Sequence, residues 1–489
     1  MERFLLPFLL TTLLFGCVSG QKSGRQLFNH YLEYKEPSVI NRRFKHSDLV
    51  AFLQKKEGTL DIQKAGQSVE GRDIYKVTIG NGPVKVLLWS QMHGDEPTAT
   101  MAIMDILNFF STSDKFDAFR KRIKKRLTLV FIPMLNPDGA EKFQRRNAMD
   151  FDLNRDAARV QMPEAYLLKS TQHELSPEWG FNLHDQSRYY SAGHTGKLAT
   201  ISFLAPAFNY EKDINEGRAN AMKLIGILSN ALEQFIPGQI AKYNDDFEPR
   251  AFGDNIQKWG TNTILIESGG EKGDREKQRI RQLNFVTLLT AFEAIANRVY
   301  ENTTVTKYES LPFNRGNAFH DLLIRQVFIP KGKDWVISDI AFRLKEKHLS
   351  SACKNFYLEG SIADIGDLST YYGYEELDAR GLYCFKGKPA PKSIKTEEQF
   401  LNLNVTNLWK EGITDLMVSD KVYKKYIHQK LPFALMRGDK PGDYQLLIGK
   451  NPGLYLKNKE RIAYVVINAH LYEVPKSKIT VRNWLQNNN

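Results

Sequence analysis

The sequence predicts an α/β fold, a mixed and mainly parallel sheet flanked by helices, followed by a smaller, mostly β region. Three observations lead there. From about Lys22 to Asn302, short apolar runs alternate with amphipathic stretches, the pattern of strands and their covering helices. After Val305 the texture changes to short strand-like runs cut by Gly, Pro, Asn and Asp. At 489 residues, 42% hydrophobic and 25% charged, the chain has ordinary globular composition and is too long for one small core.

In the first part the clearest strands are Val84 to Trp89, Leu127 to Ile132 and Thr263 to Ile266, short apolar runs rich in β-branched residues or leucine. Helical periodicity marks Thr98 to Phe110, Asn220 to Phe235 and Gln278 to Tyr300. Such alternation implies a sheet covered on both faces. In the second part the expected strands are Gln326 to Ile329, Trp335 to Phe342, Tyr444 to Ile448 and Ile462 to Ile467. The polar, proline-containing stretch Lys386 to Glu397 marks a candidate division within it. The expected organisation is a leader over 1–20, a first domain over 21–305 and a β-rich region over 306–489. Internal repeats and low-complexity segments are absent from the sequence.

The segment Phe4 to Phe15 is almost wholly apolar, follows Glu2 and Arg3, and falls short of the roughly 20 residues of a membrane span. It reads as an export signal. Val18-Ser19-Gly20 resembles an ordinary cleavage site, whereas Leu14-Phe15-Gly16-Cys17 resembles a lipobox, in which Cys17 would carry a lipid and provide the one route to membrane attachment. Either reading exports the chain, to the periplasm or beyond. Cys353 and Cys384 then remain as the sole pair, bridged or present as two buried thiols. The net charge of +12 is spread along the chain, and the dense run Arg120 to Arg126 fits a solvated helix end, which argues against a nucleic-acid partner.

The chemistry-bearing residues lie where strands end. Val84 to Trp89 runs into Ser90-Gln91-Met92-His93-Gly94-Asp95-Glu96-Pro97, so an imidazole and a carboxylate three residues apart emerge at the carboxyl end of a strand, where α/β sheets hold ligands. Gly94 allows the tight turn, and Pro97 suits the start of the following helix. Phe181-Asn182-Leu183-His184 delivers a second histidine the same way. A His, Glu, His set gives zinc three protein ligands and leaves one position open. Thr263-Ile264-Leu265-Ile266-Glu267-Ser268-Gly269-Gly270 ends a buried strand on a carboxylate, which beside such a metal becomes a proton acceptor. Between them lie Asn136-Pro137-Asp138-Gly139 and Arg145 through Asp156, whose arginines and asparagine are suited to gripping a carboxylate.

Together these segments resemble the zinc carboxypeptidase family typified by the pancreatic enzymes, and most of all its secreted bacterial members. That family carries an HxxE pair, an RxNAxGxDLNR stretch, a later His and a final Glu, in the order of His93 and Glu96, Arg145 through Arg155, His184 and Glu267. Gly66 to Arg72 also resembles a segment that precedes the first metal motif. The resemblance implies one zinc ion on His93, Glu96 and His184, with Glu267 as general base and Arg145 as oxyanion stabiliser. It places Asn154 and Arg155 on the substrate's terminal carboxylate and Asp152 behind a zinc-bound histidine, an arrangement zinc imidazoles usually have. The pattern's glycine is Asp150 here, which puts the local turn in question. Tyr243 is the candidate for the family's substrate-capping tyrosine. Asp254, near Gly253 and Asn255, is either a specificity residue favouring a basic terminal side chain or a turn aspartate.

The implied activity is hydrolysis of a C-terminal peptide bond, with a peptide bearing a free carboxylate as partner. The alternatives are a zinc amidase acting on cell-wall peptides or acylated amino acids, and an inactive binding protein on the same fold. No second activity is expected of the β-rich region, where His320, His348, His428 and His470 stand singly.

Overall fold

The computed structural model describes residues 23–437 and 446–475, so the leader and Cys17 lie outside the described residues. These form two compact units, one ending at Gly316 and the other beginning at Asn317. No helix among them is long and apolar enough to cross a membrane.

The first unit is built on an eight-stranded sheet. Its strands are β1 (Asp61–Gln67), β2 (Asp73–Ile79), β3 (Val84–Ser90), β4 (Leu127–Ile132), β5 (Trp179–Asp185), β7 (Ile201–Leu204), β8 (Ile240–Lys242) and β9 (Asn262–Ser268), while β6 (Ser191–Ala192) stands apart and pairs with β10 (Asn314–Arg315). The order is β1-β2-β4-β3-β5-β9-β7-β8. The centre, β4-β3-β5-β9, is parallel, and antiparallel pairs join β1 to β2, β2 to β4 and β7 to β9.

Alternation along each strand decides which face a side chain serves. Val86 and Leu88 of β3, Phe181 and Leu183 of β5, and Ile264 and Ile266 of β9 enter one large core with helices α1 (Thr98–Phe110), α3 (Glu216–Glu233) and α5 (Gln278–Ala296). Leu87 and Trp89 turn the other way, against α2 (Pro163–Leu175) and α4 (Phe252–Lys258). By the same parity Asn182 and His184 of β5 and Leu265 and Glu267 of β9 leave the large core and line a cleft.

Helix ends depart from periodicity where capping decides them. The run expected from Asn220 begins at Glu216, because the Asn215 side chain accepts a hydrogen bond from the Arg218 amide. The run expected to reach Tyr300 stops at Ala296, and Arg298, at φ 54°, turns the chain into a short 3-10 segment, Val299–Asn302. The basic run also needs correction. Arg120 is buried, donating to the Phe109 carbonyl and to Asp114, so only part of that helix end is solvated.

Helices α1 and α5 are joined by an ion pair with no solvent exposure, Asp105 to Arg281. Asp105 also accepts from the Tyr31 hydroxyl at 2.9 Å and the Glu36 amide at 2.7 Å. Removing one member leaves a buried, unpaired charge, at a cost of about 3–5 kcal/mol. Asp105→Ala should therefore lower the unfolding free energy by about that amount in urea titration, and a loss below 1 kcal/mol, roughly a surface pair's worth, would contradict the assignment.

In the second unit, β11 (Phe319–Lys331), β12 (Asp334–His348), β13 (Phe356–Gly366), β14 (Tyr372–Asp378), β15 (Tyr383–Lys386), β19 (Leu454–Lys457), β20 (Ile462–Ile467) and β21 (His470–Glu473) form one sheet. Between β15 and β19 the chain builds a separate parallel sheet of β16 (Lys388–Pro389), β17 (Ile413–Val418) and β18 (Ala434–Arg437), covered by short helices around buried Trp409. The region is β-rich yet contains this α/β insertion. The strand expected over Tyr444 to Ile448 is not formed where it is described: Leu446 to Ile448 is bend and turn, and Tyr444 and Gln445 lie outside the described residues. Cys353 and Cys384 are not bridged; only Cys384 is buried, Cys353 being partly exposed with its thiol toward the Ser351 carbonyl, and burial pushes the Cys384 thiol up to about 12.

His320 is buried with neither ring nitrogen hydrogen-bonded among the described residues. Burial, reinforced by the Arg343 charge, lowers its pKa from 6.5 to about 4. Between those values the unfolded chain binds a proton that the folded one excludes, so stability is lost as pH falls across this window. His320→Phe should blunt the fall in melting temperature on acidification, and an unchanged acid sensitivity would contradict this.

Candidate metal centre and cleft

The first two ligand candidates sit on the turn between β3 and α1. Gln91 takes φ 51° and its side-chain amide donates to the Gly94 carbonyl, closing the turn. A Cβ on Gly94 would lie 2.0 Å from the Gly139 carbonyl carbon, so the two turns approach as closely as glycine permits. Asn136 braces both, its Nδ2 donating to the Met92 carbonyl and its Oδ1 accepting from the Gly139 amide. Asp138 beneath accepts from the Ser68 hydroxyl, the Glu70 amide and Arg72. The Gly66 to Arg72 segment therefore anchors the turn that supports His93.

His184 and Glu267 come from the parallel pairing of β5 and β9, which sets them directly side by side. His184 Nδ1 lies 2.7 Å from Glu96 Oε2 and 3.1 Å from His93 Nδ1, and His93 Nδ1 lies 2.8 Å from Glu96 Oε1. His93 Nε2 faces Asp152 Oδ1 at 3.2 Å, which favours a proton on Nε2 and leaves the Nδ1 lone pair turned inward. Two imidazole nitrogens at such close range repel unless a proton or cation lies between them. The set of two imidazoles and one carboxylate fits zinc, and the ligand atoms of His93, Glu96 and His184 all lie within 4.8 Å of one another.

The surrounding charges are arranged around that cluster. Burial favours a neutral Asp152 carboxyl, but the hydrogen bond from His93 and the charges of His93 and Arg145 outweigh it and hold the pKa well below the usual range. Arg145 is half-exposed; it reaches Glu96 Oε1 at 3.2 Å and Asp152 Oδ2 at 3.0 Å. Glu267 is buried, one of its oxygens has no hydrogen-bond partner, and burial with the nearby Glu96 and Asp185 charges pushes its carboxyl upward.

A cleft of about 390 Å³ is lined by His93, Glu96, His184, Glu267, Arg145, Asn154, Arg155, Tyr243 and Asp254. Asp152 is reached through His93 and Arg145. Asn154 Oδ1 accepts from the Phe252 amide, which fixes the side chain between its own loop and α4. Arg155 pairs with Glu248 Oε2 at 3.2 Å. Asp254 Oδ1 accepts from the Glu248 amide at 3.1 Å, a turn-type contact, while its carboxyl is pushed by burial up to about 7. Asp150, in the glycine position of the motif, adopts φ 62° and keeps the turn closed by donating its amide to the Asn147 carbonyl. Aspartate tolerates this region better than most side chains.

The cleft also contains Asn182, Gln186 and Tyr190, which sequence reasoning did not single out. Asn182 was accessible by parity, two residues before His184 on the same strand face. Tyr190 lies in a loop with no periodicity to reveal it.

The fold and cluster define an α/β protein with a His, Glu, His centre at the carboxyl edge of its sheet. Residues 46–180 match the profile of the zinc carboxypeptidase family, which takes in His93, Glu96 and the Arg145 to Arg155 stretch. Among curated relatives, carboxypeptidase 2 of Trichophyton tonsurans is 27% identical over 135 residues, 27% of this chain and 24% of that protein. Carboxypeptidase SOL1 of Arabidopsis thaliana is 31% identical over 151 residues, 28% of this chain and 31% of that protein. The chain thus spans a quarter to a third of the length of these relatives. A metallo-carboxypeptidase from Burkholderia cenocepacia aligns over 52% of this chain and 70% of its own, with a TM-score of 0.43 and 17% identity.

Removing the Asp152 contact should loosen the ligand set. Asp152→Ala is expected to weaken zinc binding about 10–100-fold in chelator competition, as loss of a histidine's outer partner does. Unchanged affinity would contradict the role assigned to Asp152.

Proposed function

We propose that this chain is an exported zinc metallocarboxypeptidase that removes the last residue of peptides with a free terminal carboxylate. The observation that carries this reading is the convergence, in one cleft, of the His93, Glu96, His184 cluster with buried Glu267 and with Asn154 and Arg155. The apolar segment Phe4 to Phe15 supports export.

A zinc ion held by the three ligands would supply Lewis acidity to the scissile carbonyl and to the attacking water. Glu267, whose carboxyl burial and the Glu96 and Asp185 charges push upward, accepts the proton of that water and returns it to the leaving amine. Arg145 offers its guanidinium to the developing oxyanion. Arg155 and the Asn154 amide hold the terminal carboxylate, so that only the last peptide bond reaches Glu267. Tyr243 lines the same cleft, half-buried, where it closes over substrate.

Glu267→Gln should lower kcat on a blocked dipeptide by about 10²–10⁴-fold while zinc content stays at one per chain. The matching C-terminal amide should resist the wild-type protein. An active, zinc-loaded Glu267→Gln variant, or equal cleavage of acid and amide, would overturn the reading.

A further inference from the structure

Lys277 stands where three local rules argue against a lysine. It adopts φ 53°, a left-handed conformation costly for any residue with a Cβ. It is the N-cap of the 19-residue helix α5, placing a cation at the positive end of the helix dipole. It is also only 8% exposed, although lysine is rarely buried without a partner. Conflicts of this kind persist where the surroundings over-determine them, and they cluster at functional sites.

Its partners explain the placement. The ammonium donates to Asp185 Oδ2 at 3.1 Å and to the Ser268 carbonyl at 2.8 Å. Asp185 directly follows His184, and Ser268 directly follows Glu267, so one buried cation ties the ends of the two strands that deliver a metal ligand and the base. The Ser268 carbonyl also accepts from the Gln186 amide at 3.0 Å. Asp185 Oδ2 accepts from the Thr98 hydroxyl at 2.6 Å, and the Asp185 amide donates to Glu96 Oε2 at 3.2 Å. The network therefore extends from Lys277 to Glu96, His184 and Glu267, while Lys277 itself lines no part of the cleft.

We propose that Lys277 is a positioning residue for the reaction: its ammonium, through Asp185 and the Ser268 carbonyl, fixes the Glu267 carboxylate relative to the metal ligands. This rests on the carboxypeptidase reading. The competing account is a purely structural ion pair that neutralises Asp185. The two differ in what a neutral pair restores, because replacing both partners of a buried ion pair is often harmless to stability, whereas the tie to Ser268 is lost with the ammonium in either case.

The test compares zinc-loaded full-length wild type with Lys277→Met, Lys277→Arg and the double variant Lys277→Met/Asp185→Asn. Lys277→Met should lower kcat by about 10–100-fold with KM changed less than about threefold, the signature of misplaced reacting groups. The double variant should recover melting temperature but not kcat, and Lys277→Arg should recover part of kcat. The cobalt-substituted proteins supply a second readout: the visible absorption of Co2+ should shift in Lys277→Met and in the double variant. Recovery of kcat in the double variant, or wild-type kcat in Lys277→Met, would overturn the proposal. If wild type cleaves no peptide, the carboxypeptidase reading fails by itself, and an unchanged cobalt spectrum in both variants then overturns the role of Lys277.

Discussion

The site depends on one constraint, the parallel register that places His184 of β5 directly beside Glu267 of β9. Because side chains alternate, this register sends Phe181, Leu183, Ile264 and Ile266 into the large core and brings Asn182, His184, Leu265 and Glu267 to the opposite face. A slip of one residue would exchange the two sets, burying a histidine and a carboxylate among aliphatic side chains. Hydrophobic burial therefore enforces the placement of His184 beside Glu267. The sheet's next neighbour adds to this, since Gly269 follows the strand so closely that a Cβ would fall 2.0 Å from the Ala199 carbonyl oxygen.

Around that register the molecule satisfies its buried polar groups with a chain of braces. Asn136 and Asp138 hold the turn that carries His93 and Glu96, and Asp152 orients His93. Asp105 and Arg281 lock α1 to α5, the helices that begin beside Glu96 and Lys277. Each brace replaces water with a fixed dipole or charge, which costs little reorganisation once the fold has formed. Four of the buried side-chain atoms without a hydrogen-bond partner lie on β5 and β9: His184 Nε2 and one oxygen each of Glu267, Asp185 and Asn182.

Much of the first unit was legible because its signals are local. Leu127–Ile132 and Thr98–Phe110 are bounded in the structure where their apolar patterns begin and end. The candidate ligands could be named because a histidine or carboxylate closing an apolar run has few places to go in an α/β sheet. What escaped the sequence was set at long range. Lys277 directly follows the charged run Glu271-Lys272-Gly273-Asp274-Arg275-Glu276, where nothing local marks it for burial; its burial follows from Asp185, 92 residues away. Arg120 was misjudged for a nearer reason: the chain turns back between two helices, so the Phe109 carbonyl and Asp114, close in sequence, take up its guanidinium. In the second unit Leu446 to Ile448 has strand composition but pairs with no strand among the described residues, and the parallel sheet of β16, β17 and β18 is assembled from pieces too short for periodicity to identify.

The central claim is that His93, Glu96 and His184 hold one zinc ion against Glu267. Crystals of the zinc-loaded protein, measured on both sides of the zinc absorption edge, test it most directly. The account predicts a single anomalous peak about 2.0–2.2 Å from Nδ1 of both histidines and from the Glu96 carboxylate, with an open coordination position facing Glu267. A peak on other ligands, or a coordination shell closed by Glu267 itself, would contradict it.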